Sequence, residues 1–180
     1  MDTLLYFILL FLLVGAVAAD IRTYRIPNLL TLGGAVIGLF LSGLTGYVNG
    51  HFYTSLTGSV SGFLLLITIT FPCYVFRILG AGDVKLLGCV GAFLGLKSGL
   101  TAFVATLLMG GFLSLVIAVA KGRFLELLKN IQSALVAGQA GWLTERKMHL
   151  DIADNSVAKM PYSVAIFLGV LITPLLSRYI

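Results

Sequence analysis

The chain has 180 residues, of which 59% are hydrophobic and 11% charged, with a formal net charge of +5 and a mean hydropathy of +1.05. An ordinary soluble domain carries roughly 25% charged residues, and a chain this short cannot hide so much apolar surface from water. The composition excludes a soluble fold and points to an all-α, polytopic protein whose solvent is lipid.

Six apolar stretches follow one another: Thr3–Ala19, Leu29–Gly46, Thr54–Phe76, Val84–Leu96, Gly99–Ala120 and Pro161–Ser177. Most approach the ~20 residues that cross a ~30 Å hydrocarbon core, so about six transmembrane helices are expected. The fourth is short, and its depth in the membrane is expected to include part of the Gly80–Asp83 turn. The first has an A-x-A pattern at Ala16-Val17-Ala18, as a cleaved signal peptide would. However, Asp2 stands where a signal peptide has Lys or Arg, and the run exceeds the usual apolar region of about 7–15 residues. It reads as a span.

Glycines recur inside the stretches, at Gly33-Gly34-Gly38, Gly58-Gly62, Gly88-Gly91-Gly95 and Gly110-Gly111. Such small faces let membrane helices approach closely. Tyr47–Tyr53 is a short loop and Lys97-Ser98 a tight turn. The one sizeable polar piece is Lys121–Lys159. Its first half spaces Phe124, Leu125, Leu127, Leu128, Ile131 and Leu135 as an amphipathic helix resting in the interface would. Residues 1–180 read as a single membrane-embedded domain without a long linker.

Charge gives the orientation. If the N-terminus is outside, Arg22, Arg25, Arg77, Lys85, Lys121, Arg123, Lys129, Arg146, Lys147 and Lys159 face the cytoplasm, leaving only Lys97 and Arg178 outside. That asymmetry is the positive-inside signal. The basic balance is thus a topology device, and no nucleic-acid partner is expected. Cys73 and Cys89 stand alone in apolar stretches and read as small buried hydrophobes. His51 and His149 fall on opposite sides of the membrane. No metal and no cofactor is expected.

The acids carry the functional signal. Asp2, Glu126, Glu145, Asp151 and Asp154 read as terminal or solvated, which leaves Asp20 and Asp83, each at the cytoplasmic edge of an apolar span. Ionisable groups at such depth are costly and mark functional sites by default. Span one runs inward to Asp20 and span four outward from Asp83, so the carboxyls share one side and depth. If the two helices are neighbours, the carboxyls meet across a cleft and share a proton, one serving as base and the other as acid. The alternative for Asp83 is a helix N-cap. Gly80 and Gly82 permit positive φ and close backbone approach beside it. Arg22 and Lys85, each two residues beyond an Asp, do not face it on a helix; they are candidates for binding lipid headgroups or orienting substrate. Two rival readings of the pair are a proton or cation relay in a small transporter and a non-catalytic scaffold of a secretion machine.

The pattern Asp20-x-Arg22…Ile26-Pro27-Asn28, followed by Gly80-Ala81-Gly82-Asp83-Val84-Lys85-Leu86 and by Met160-Pro161-Tyr162 at the last span, closely resembles the type IV prepilin peptidases, within the G-x-G-D class of membrane aspartic proteases. The resemblance implies Asp20 and Asp83 as the catalytic pair. It also implies, as substrate, a prepilin with a basic leader and an apolar helix, cut at the cytoplasmic face of the inner membrane after a small residue. Larger members carry an additional cytoplasmic domain with paired cysteines and methylate the new N-terminus. This chain lacks that insertion and looks like the short branch serving Flp-type (tight-adherence) pili.

Overall fold

The computed structural model describes residues 3–23, 25–76, 79–122 and 162–176, all of them helices and their connections. Helix α1 spans Thr3–Thr23. A π-helical turn, Leu29–Gly33, leads into α2, Gly34–Val48; α3 spans Phe52–Val75, α4 Ala81–Ala120 and α5 Tyr162–Leu176. In lipid every backbone N–H and C=O must be satisfied within the chain, which is why the apolar stretches all become helices. Tyr24, residues 77–78 and residues 123–161 lie outside the described set, and with them the interfacial helix expected around Phe124–Leu135.

Among the described residues four helices are long and apolar enough to cross a membrane: Thr3–Thr23, Leu29–Val48, Phe52–Val75 and Ala81–Ala120. The six separate stretches of the sequence thus reduce to a coarser observation. The fourth and fifth form the two arms of α4, which meet at a break at Gly95, and α5 has only 15 residues.

Helix α4 is not straight. Gly95 takes φ 73°, ψ −174°, outside the helical region, and only glycine adopts such a backbone at little cost. Beyond it the chain folds back: a Cβ on Gly99 would stand 3.4 Å from the Gly91 Cα, where a straight helix would separate the two by ~12 Å. The reversal was expected at Lys97-Ser98. It comes two residues earlier because the glycine, rather than the polar pair, can take the turn.

Contacts divide the chain into two compact units, Met1–Gly110 with Pro161–Ile180, and Gly111–Met160. In the second unit the described residues close α4 with a turn in which the Gly122 N–H donates to the Val119 carbonyl at 3.0 Å and Gly122 adopts φ 65°.

The first unit is organised around the opening arm of α4. Leu86, Leu87, Cys89, Val90, Ala92 and Phe93 are all buried, so this arm is covered on every side, as a helix apolar all round should be. Glycines let its neighbours in. A Cβ on Gly62 of α3 would stand 2.5 Å from the Gly91 carbonyl oxygen, and one on Gly38 of α2 would stand 2.6 Å from the Phe93 ring. Helix α1 lays Leu5, Leu9, Leu13 and Ala16 into the core. Its Tyr6 hydroxyl donates to the Val170 carbonyl of α5 at 3.1 Å. That carbonyl lies four residues before Pro174, which has no N–H to offer it. The outer surface exposes Phe7, Phe11, Phe40, Tyr53 and Phe71, a surface suited to lipid.

Candidate active site

Asp20 sits in the last turn of α1. It continues the buried stripe of Leu5, Leu9, Leu13 and Ala16 at the helical repeat, and so the helix turns this carboxyl inward with the core rather than out with Arg22. Only 7% of it is exposed. The helix stops soon after: the Thr23 hydroxyl lies 2.9 Å from the Ala19 carbonyl and 3.0 Å from that of Arg25, tying off the helix end. Pro27 then starts the next element, its carbonyl accepting from the Leu30 and Thr31 N–H groups at 3.0 and 3.3 Å.

Asp83 belongs to the first turn of α4. Gly80 holds the N-cap place, its carbonyl accepting from the Asp83 and Val84 N–H groups at 3.1 and 3.2 Å. The Asp83 Oδ2 accepts in return from the Gly80 N–H at 3.2 Å. This is the carboxylate half of a capping box, at the helix end where the macrodipole favours a negative group. Asp83 as N-cap itself is therefore corrected: it caps from three residues inside.

The expected use of positive φ at Gly80 and Gly82 is also corrected. Among the described residues Gly50, Gly95 and Gly122 have positive φ, and neither Gly80 nor Gly82 does. Gly82 is already the second residue of the helix. Its value is room: a Cβ there would stand 3.3 Å from the Ile26 Cβ, and its absence lets the α1–α2 connection close onto the start of α4.

The two aspartates, 63 positions apart in sequence, line one cavity of about 370 Å³ together with Gly80 and Gly82. Arg25, Asn28 and Lys85 complete its polar wall. Lys85 is not free to range: its Nζ donates to the Asn28 Oδ1 at 2.9 Å, joining the α1–α2 connection to α4. Arg22 is exposed and does not line the cavity, whereas Arg25 does.

A further residue at the site had no place in the sequence reading. Ser163, one residue into α5 and wholly buried, donates its hydroxyl to the Asp20 Oδ2 at 2.6 Å. The signal for it was slight, a polar residue opening the last span at the end where span one closes on Asp20.

Two carboxyl groups lining one cavity from different helices have the components of general acid–base hydrolysis of a peptide. A model of the type IV leader peptidase family matches residues 6–119. No curated protein and no solved structure matches the chain.

Proposed function

Because the chain belongs to the type IV leader peptidase family, and is thereby a multi-pass membrane enzyme of the aspartic prepilin leader peptidase kind, we propose that Asp20 and Asp83 are its catalytic dyad. The observation that carries the proposal is the shared cavity, into which the two aspartates project from the end of α1 and the start of α4. One carboxylate takes a proton from water as the oxygen attacks the scissile carbonyl. The other carboxyl gives its proton to the departing amine as the C–N bond breaks. The roles exchange protons through the pair, so the enzyme returns to its starting state after each cut.

The substrate of the proposal is a Flp-like prepilin whose basic leader is drawn to the anionic cytoplasmic membrane surface and to the acidic pair. The arrangement has six spans with the N-terminus outside, the two arms of α4 each crossing and α5 crossing last. Residues 1–180 then act as one peptidase domain with Asp20 and Asp83 at the cytoplasmic side, and the dyad uses no metal or cofactor. Lys85 shapes the site through Asn28, as Gly80 and Gly82 do through backbone approach. Arg22, exposed beside the cavity wall, meets lipid headgroups. Neither a relay nor a scaffold has an observation of its own: the break at Gly95 lies ~18 Å along the helix from Asp83, with no acid beside it among the described residues.

Co-expression with a prepilin carrying a basic leader, read by gel shift, tests the proposal. The wild type removes the leader, while Asp20→Asn and Asp83→Asn accumulate normally and leave the precursor intact. Full cleavage by either variant refutes the dyad.

A further inference from the structure

We propose that Ser163 is a positioning residue for the reaction, holding the Asp20 carboxylate by one oxygen so that the other is presented to the water and peptide in the cavity. The inference rests on the reading of Asp20 as catalytic.

Three observations carry it. The Ser163 hydroxyl is wholly buried and lies 2.6 Å from the Asp20 Oδ2, the short distance of a hydroxyl donating to a charged acceptor. Asp20 is almost fully buried but lines the cavity, so one side of its carboxyl is engaged by protein and another meets the open space. Asp83 is held in the same manner, its Oδ2 taking the Gly80 N–H at 3.2 Å. Each member of the pair thus has one oxygen fixed by a neighbouring donor. A carboxylate free to rotate about its χ2 would spend time misaligned, and misplacement of reacting groups by a fraction of an ångström costs rate rather than binding.

The origin of the donor adds a structural consequence. Ser163 stands on α5, beyond residues 6–119 that the family model matches. Helix α5 is anchored to α1 at a second point, by the Tyr6 hydroxyl on the Val170 carbonyl. The last helix is therefore part of the catalytic apparatus: it brings the hydroxyl that sets Asp20, and α1 alone cannot do so.

The test uses the full chain, purified in lipid nanodiscs, and a reporter with a Lys/Arg-rich leader, a small residue before the cut and an apolar helix. Ser163→Ala is expected to lower kcat roughly ten- to a hundredfold, the worth of a hydrogen bond to a charged group, with KM within about twofold. Ser163→Thr, which keeps the hydroxyl, is expected to recover most of the loss. Wild-type kcat in Ser163→Ala overturns the proposal, as does a loss confined to KM or one that Ser163→Thr shares in full. An Asp20→Asn arm separates the two readings. If Asp20→Asn is inactive while Ser163→Ala is fully active, only the positioning role fails; if Asp20→Asn cleaves normally, the dyad itself fails.

Discussion

At the scale of single residues, the acids were legible because they are so few. In a chain whose charged residues amount to 11%, an aspartate at the end of an apolar run has a solvation cost that chance does not explain, and both aspartates line one cavity. Their supports were less legible. Ser163 lies 143 positions from Asp20, and a serine in a membrane helix usually bonds its own backbone, as Thr70 and Thr106 do here. Glycine beside Asp83 suggested an unusual dihedral, when its use is to leave space for Ile26. The Lys85–Asn28 bond yields a prediction at this scale. Lys85→Met and Asn28→Ala each remove the same contact, so each is expected to lower stability by only about 1 kcal/mol. The double variant is expected to lose no more than the larger single loss, since the two share one interaction. Thermal unfolding of the four proteins in one detergent checks this. Additive losses would show that the bond is not what either residue contributes.

At the scale of elements, hydrophobic runs located the helices, and the glycines within them marked where helices touch. Runs of apolar residues do not tell which glycine is a contact and which merely lies in lipid, because that depends on the neighbour. Gly62 and Gly91 meet backbone to backbone, whereas nothing lies within 4 Å of a Cβ built on Gly58. Gly62→Ala is therefore expected to push α3 from α4 and to cost about 1–3 kcal/mol, the usual penalty of overpacking, while Gly58→Ala stays within about 0.5 kcal/mol of the wild type. Gly95→Ala meets no crowding of that kind but would force a Cβ into φ 73°, ψ −174°, a region almost confined to glycine, at about 1–3 kcal/mol. Unfolding midpoints in a common lipid or detergent rank the three. Equal losses at Gly58 and Gly62 would mean that the α3–α4 crossing is looser than its backbone contact implies. The break at Gly95 also shows why the turn expected at Lys97-Ser98 was misplaced by two residues. Polarity marks where a loop is comfortable, but the backbone turns where it has a residue able to turn.

At the scale of the whole molecule, the sequence carried the membrane class, and the basic residues gathered in alternate loops suggest the orientation proposed above. What it placed only approximately is the reversal between the fourth and fifth stretches, which the chain makes at Gly95. A topology experiment addresses the orientation. In a background with Cys73→Ala and Cys89→Ala, single cysteines at Asn49 and Ser98 are expected to label with an impermeant thiol reagent from outside the cell, and one at Gly122 only after the inner face is exposed. Labelling of Ser98→Cys and Gly122→Cys from the same side would contradict two crossings in α4.

The central claim is that Asp20 and Asp83 act as one unit. Single-turnover cleavage of a prepilin reporter by purified Asp20→Asn, Asp83→Asn and the double variant tests it most directly, because groups that work together are strongly non-additive. Each single substitution is expected to reduce the rate to the same floor as the double. A double variant far slower than either single one, or a single variant at the wild-type rate, would contradict it.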